Sequence, residues 1–183
     1  MGDPAAPAAV PGRRPYSAPH VAQWTEAGLQ EAGRLWLKVQ GASMLPFLQE
    51  GDRLELRPLG PRPPRRGDLL VFVQGEHLLV HRLLRWDDAS CRTAGDALTR
   101  PDPPVARAAL LGRAGALACR WGEADLDRRP WPAFQALLAI LLNRRLAGGP
   151  GAALAGRSMR LLTRHLPPVM ARRGSTAAPG RPG

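Results

Sequence analysis

The sequence predicts a mainly β fold: an antiparallel β core over about residues 35–121, short helices around it, and a helical, basic C-terminal tail. Three observations carry that expectation. Short apolar runs of strand-like composition recur, as in Leu35-Trp36-Leu37-Lys38-Val39 and Leu69-Leu70-Val71-Phe72-Val73, and bulky apolar residues suit a pleated, half-buried surface. Turn residues punctuate them at Gly41, Gly51-Asp52, Gly67-Asp68, Gln74-Gly75-Glu76 and Gly95-Asp96. From Trp131 onward the apolar spacing changes to that of a helix.

The chain of 183 residues suits one domain of ordinary size, with flexible ends. Residues 1–19 are rich in proline and alanine and read as a disordered tail, as do residues 173–183. A β domain is expected over 20–121, and a helical basic tail over 122–172. The net charge of +11 is carried almost entirely by arginine, Lys38 being the only lysine. With 20 prolines beside it, that balance fits a coding bias as well as an anionic partner. No specific nucleic-acid partner is therefore expected. Cys91 and Cys119 are too few for a disulfide framework; two thiols are expected, a single bridge being the alternative.

No stretch reaches the roughly 20 apolar residues of a membrane-spanning helix, and no secretory signal core opens the chain. The expected location is cytoplasmic, or peripheral at a membrane. In the second case the arginines of 131–145 and 154–164 would face anionic lipid and the apolar residues would enter the interface. The alternative for these segments is helix packing on the β core.

In chain order, Val21, Trp24, Leu29 and Ala32 are spaced for a short amphipathic helix over 20–34. The first strand runs to Gly41, and an alternating strand follows at 53–57. Residues 59–66 are crowded with proline and arginine and read as an extended loop. The strands at 69–73 and 77–85 are joined by a tight turn and form a hairpin. After a turn at 87–90, Cys91-Arg92-Thr93-Ala94 leads to Gly95-Asp96 and a proline-rich loop around Asp102. The period over 106–121 is ambiguous, with Leu110 to Ala114 a candidate closing strand. Two helical segments follow, broken at Gly148-Gly149-Pro150-Gly151, and Pro167-Pro168 is expected to stop the second.

Ser43 sits on the turn after the first strand. There Gly41 permits a sharp bend and Pro46 prevents a regular ladder. A hydroxyl displayed at a strand end beside free backbone N–H groups is a nucleophile's usual setting. The plain reading is that such a serine bonds only its own backbone. The rest of the chain decides between them. Each Gly-Asp pair alone means a turn, with glycine tolerating positive φ and aspartate bonding nearby N–H groups. Three pairs, at 51–52, 67–68 and 95–96, frame Ser43, His81 and Asp102.

Four ordered blocks are involved: Ser43-Met-x-Pro46-x-Leu-x-x-Gly51-Asp52, then Gly67-Asp68-Leu-Leu-Val-Phe72, then Val80-His81-Arg82-Leu-Leu84, then Thr93-Ala-Gly-Asp96. Together they resemble the type I signal peptidase family. The resemblance covers about 36–113, somewhat under half of the chain. It implies a signal-peptidase/LexA-like antiparallel β fold with Ser43 as nucleophile and no cofactor or metal. His81 stands where most bacterial members have a lysine base, as in the branch found in archaea and the endoplasmic reticulum. In that branch an aspartate six residues past the Gly-Asp aspartate completes the set, which here is Asp102, with Asp96 the rival for orienting His81. A neutral imidazole can take the serine proton and pass it to the leaving amine.

The chain departs from the family at three places. Gly41 replaces a serine that helps bind the oxyanion in many relatives, leaving that task to backbone N–H groups such as that of Ser43. Ala97-Leu98 stand where asparagines often follow the last Gly-Asp. The N-terminal membrane anchor of the family is not expected here, because no apolar stretch of that length precedes Ser43. The resemblance implies a peptide or protein substrate added as an extended strand, with small residues near the cut, bound along strand 35–40 by Gly41, Met44 and Pro46. Two other readings stay open. One is an inactive, peptide-binding homologue. The other is a LexA-like self-cleaving regulator, whose lysine base would lie after the serine, whereas Lys38 precedes Ser43. His20, His77 and His165 read as ordinary surface or core histidines.

Overall fold

In the computed structural model, residues 18–61, 63–120 and 122–174 are described, with side chains from 20 to 165. The expectations of disorder at 1–17 and 175–183 lie outside these residues. Residues 18–19 instead begin a helix, because a proline is tolerated in a first turn, where its missing N–H has no intrahelical partner. The helix order is α1 (Ala18–Ala32), α2 (Trp131–Ala147) and α3 (Ala152–Gly174). The strands are β1 (Leu35–Lys38), β2 (Arg53–Arg57), β3 (Leu69–Gln74), β4 (His77–Trp86), β5 (Ser90–Ala94), β6 (Val105–Ala106), β7 (Leu110–Cys119) and β8 (Gly122–Asp125).

All eight strands form one sheet of order β1-β2-β7-β3-β4-β5-β6, with β8 added on β7, and every pairing is antiparallel. The described residues form mostly antiparallel β sheet with three α-helices, in keeping with a mainly β fold. The β3–β4 hairpin pairs Gln74 with His77 across Gly75-Glu76, and Gly75 has φ +58°. A glycine of positive φ at the first turn position matches the twist of the flanking strands.

The near-continuous apolar run of β3 is explained by a core on each face of the sheet. Leu69, Val71 and Leu84 belong to the larger core, and Leu70, Phe72 and Leu83 to the smaller one. Side chains alternate along a strand, so a run buried on both faces loses its polar alternation. The same reason hid the role of β7, expected as a closing strand over 110–114. It is a ten-residue strand in the middle of the sheet, between β2 and β3. Its glycines let it approach β2: a Cβ on Gly112 would lie 2.3 Å from the Arg57 carbonyl oxygen, and one on Gly115 would lie 2.2 Å from Arg57 Nε.

The expected boundary at 121/122 does not hold as a division between a β domain and a tail. β8 extends the sheet to Asp125, and Trp131, Phe134, Leu138, Ala139 and Leu142 of α2 sit in the larger core with Met159 of α3. Their spacing puts them on one helical face. Each fully buried Leu of this kind contributes about 1.5–3 kcal/mol. The helices close on the sheet without side-chain clearance: a Cβ on Gly67 would lie 2.4 Å from the Gln135 backbone. α3 continues past Pro167-Pro168, where a stop was expected. Met159 and Thr163 of α3 are buried. Leu137, Ile140, Leu154 and Leu161 stay exposed on the two helices. Among the described residues, no helix is long and apolar enough to cross a membrane.

Candidate active site

The Ser43 turn is built by two backbone bonds, Leu45 N–H to the Ala42 carbonyl at 3.1 Å and Leu48 N–H to the Met44 carbonyl at 3.0 Å. Gly41 makes the entry with φ +78°, and the Leu45–Pro46 peptide bond is cis. Met44, Phe47 and Leu48 are buried in the larger core and anchor the turn from below. Met44 is only 2% exposed, so its side chain faces the core rather than an open groove as expected. A long apolar side chain beside a half-buried serine gains more from burial than from solvent. Gly41 is exposed and Pro46 half-buried. A Cβ on Gly41 would meet nothing within 4 Å.

His81 comes from β4 and Asp102 from the loop between β5 and β6. His81 Nε2 lies 3.1 Å from Ser43 Oγ, and Nδ1 lies 2.7 Å from Asp102 Oδ2. The imidazole is nearly dry, with its side chain 3% exposed, and that of Asp102 is 8% exposed. The Phe72 ring stands edge-on to the imidazole at 5.9 Å between centroids. Thus three residues far apart in sequence meet in the order serine, histidine, carboxylate. The carboxylate can hold one tautomer of the ring and stabilise its protonated form, while the other nitrogen faces the hydroxyl.

Asp96 does something else. The adjacent residue on β4, Arg82, points to the opposite face from His81, as strand alternation requires. Its Nε and Nη2 donate to Asp96 Oδ1 and Oδ2 at 2.8 and 2.6 Å. Arg82 Nη1 also donates to the Gly67 carbonyl at 3.0 Å, and its guanidinium lies 5.0 Å over the Phe47 ring. Both side chains of this ion pair are fully buried. Asp96 therefore locks the loop against the sheet, and Asp102 meets His81.

The Gly-Asp pairs divide the same way. Asp52 and Asp68 each accept a bond from the backbone N–H three residues back, at Gln49 and Arg65, both at 2.8 Å. Gly51 and Gly67 have φ of +93° and +100°. Gly95 has no such φ; its small size serves close approach. A Cβ there would lie 2.6 Å from the Ser43 carbonyl oxygen and 3.1 Å from His81 Nε2. The loop after it is held to the serine turn by Ala97 N–H, which donates to the Ser43 carbonyl at 2.8 Å.

Two participants, Thr93 and Arg82, had no role assigned from sequence, and a third, Gly95, reads from sequence as a positive-φ turn glycine, which it is not. Thr93, fully buried, donates from Oγ1 to Asp102 Oδ2 at 2.6 Å and accepts at its carbonyl from Asp102 N–H at 2.9 Å. All three lie inside the ordered blocks, so the signal was present, but their partners are distant in sequence. Lys38 is exposed on β1, and the hydroxyl of Ser43 is bonded to His81 instead. Cys91 and Cys119 are not bridged. Burial pushes the Cys91 thiol up to about 11, which keeps it protonated and unreactive near neutrality. Among the described residues, no group of three or more His, Cys, Asp or Glu side chains is placed to hold a metal ion.

No protein-family model, curated protein or solved structure matches the chain.

Proposed function

We propose that the chain is a serine endopeptidase of signal-peptidase type, cleaving extended peptide segments after small residues. The observation that carries this reading is the 3.1 Å contact of His81 Nε2 with Ser43 Oγ, backed by the 2.7 Å contact of Nδ1 with Asp102. The four ordered sequence blocks support it independently. In the mechanism, Ser43 Oγ forms a bond to the amide carbonyl carbon as its proton passes to His81 Nε2. The Ser43 N–H, on the turn beside the attacking oxygen, is the donor assigned to the developing oxyanion. The imidazolium then gives its proton to the leaving amine as the C–N bond breaks, leaving an acyl ester on Ser43. Water, deprotonated by the same imidazole, hydrolyses that ester and restores the hydroxyl. Asp102 holds the ring in place throughout.

The test is incubation with peptides carrying Ala-x-Ala sites, with product masses compared among wild type, Ser43→Ala and His81→Ala, and folding checked by circular dichroism. Each single variant is expected to lose cleavage while keeping the fold, and the double variant to lose no more than either, because the two act as one proton-transfer unit. Binding of the peptides without any product from the wild type would favour the inactive, peptide-binding reading. Products unchanged in Ser43→Ala would remove the serine from the mechanism.

A further inference from the structure

Beside the serine turn lies a cleft of about 310 Å³ that the Ser-His-Asp chemistry does not use. One side is formed by Leu45 and Pro46, two and three residues after Ser43, and by Asp96 and Ala97 of the loop bonded to the Ser43 carbonyl. The other side comes from the C-terminal helices, through Arg145 of α2 and Met159 and Arg160 of α3.

The charges in this cleft do not balance. The carboxylate of Asp96 is already engaged by both donors of the buried Arg82 fork. Arg145 and Arg160 remain, and among the described residues neither is in an ion pair within 4 Å. Arg145 Nη2 donates to the Leu98 carbonyl, which orients the guanidinium and uses one of its five N–H donors. Burial lowers the pKa of Arg145, the charge of Asp96 opposes this in part, and the charge of Arg160 adds a smaller lowering. Two guanidiniums lining one cleft, that of half-buried Arg145 and that of exposed Arg160, with apolar walls from Leu45, Pro46 and Met159, suit an anion carried on a short hydrocarbon stem. Planar forks of this kind recognise carboxylates.

We propose that this cleft is a substrate subsite that takes a carboxylate close to the scissile bond, so that the preferred substrates are acidic near the cut as well as small. The inference rests on the peptidase reading and deepens it. The carboxylate comes either from an Asp or Glu side chain or from a free C-terminus, and both present the same group to Arg145 and Arg160. It also gives α2 and α3 a part in selecting substrate, beyond covering the sheet.

The experiment uses Ala-x-Ala peptides in which Glu, Gln or Lys is placed in turn at each position around the cut, every peptide made as C-terminal acid and as amide. Cleavage by the full-length wild type is measured as kcat/KM. Binding to full-length Ser43→Ala is measured by fluorescence anisotropy, which does not depend on catalysis. A side-chain source is expected to give about a tenfold preference for Glu over Gln at one position, the size of one partly exposed charge-assisted pair. A C-terminal source gives a similar preference for acid over amide at every sequence. Arg160→Glu, at an exposed position, is expected to keep the melting temperature and to reverse the preference toward Lys.

Equal binding of all members, absence of binding, or a preference unchanged in Arg160→Glu overturns the subsite. Cleavage without charge preference leaves the peptidase reading standing and removes the subsite alone. Charge-selective, Arg160-dependent binding without cleavage by wild type does the reverse.

Discussion

Asp96 and Asp102 lie on one loop, six residues apart, yet they are held in opposite ways. Asp96 is sealed in a dry, bidentate pair with Arg82. Asp102 shares a single oxygen, Oδ2, between His81 Nδ1 and Thr93 Oγ1. The first arrangement spends every strong donor on fixing the loop. The second leaves the imidazole with a second nitrogen aimed at a hydroxyl, and it is the arrangement that can take up a proton. A buried ion pair is chiefly a constraint on geometry, since desolvation offsets much of its attraction. A histidine beside a carboxylate is poised to change charge. Neighbouring residues on β4 thus serve structure on one face and the candidate chemistry on the other.

Substitution can break this contrast. The largest effect is expected for Asp102→Asn. Without the carboxylate, the imidazole takes the wrong tautomer, and peptide cleavage should fall about 10³–10⁴-fold. Urea unfolding should change little. Asp96→Asn should do the opposite. It leaves the buried Arg82 charge uncompensated and is expected to cost about 3–5 kcal/mol of stability, measured by the same unfolding curves. Activity per folded molecule should stay within a few-fold of wild type. If Asp102→Asn unfolded the protein while Asp96→Asn stopped catalysis, the two roles would be exchanged.

Gly95→Ala tests the residue where the two halves meet. A methyl group there faces the Ser43 carbonyl at 2.6 Å, which is backbone and cannot swing away. Overpacking of this kind costs about 1–3 kcal/mol, and cleavage should drop further than stability because Ser43 and His81 move apart. An unchanged kcat/KM would mean that the loop adjusts without disturbing them. The smallest effect is expected for Thr93→Val, which removes one donor from Asp102 and costs about 0.5–1.5 kcal/mol. Its specific readout is the pH profile. With one donor fewer, the carboxylate is less tightly oriented, and the acid limb of kcat/KM should shift. Thr93→Ser, which keeps the hydroxyl, should restore it. A profile identical in all three proteins would reduce Thr93 to packing.

Much of the fold was legible because it is local. The β3–β4 hairpin follows from two apolar runs around Gly75, and α1 from its apolar spacing. The turn carrying Ser43 follows from Gly41, Pro46 and Gly51-Asp52, and Ser43 and His81 were legible as a pair through the ordered blocks. Where the reading stopped, the governing interactions are non-local. β7 carries no alternation because both of its faces are covered, so nothing in its residues distinguished a central strand from a helix or an edge. The arginine-bearing C-terminal segments share one amphipathic pattern with membrane-surface helices. The position of Phe134, Leu138 and Leu142 in the core shows where one apolar face of α2 goes, while Leu137 and Ile140 stay exposed.

The choice between the two carboxylates has the same cause. By residue type, either Asp96 or Asp102 suits an imidazole. Strand alternation on β4 turns Arg82 away from His81, and Arg82 claims the nearer carboxylate. Thr93 then holds the farther one where the loop returns past β5. The sequence by itself determined the turns, the short strands and the candidate residues, because those depend on neighbours a few positions apart. The tertiary structure decided which of those residues touch, because that depends on strand pairing and on which face of the sheet each side chain occupies.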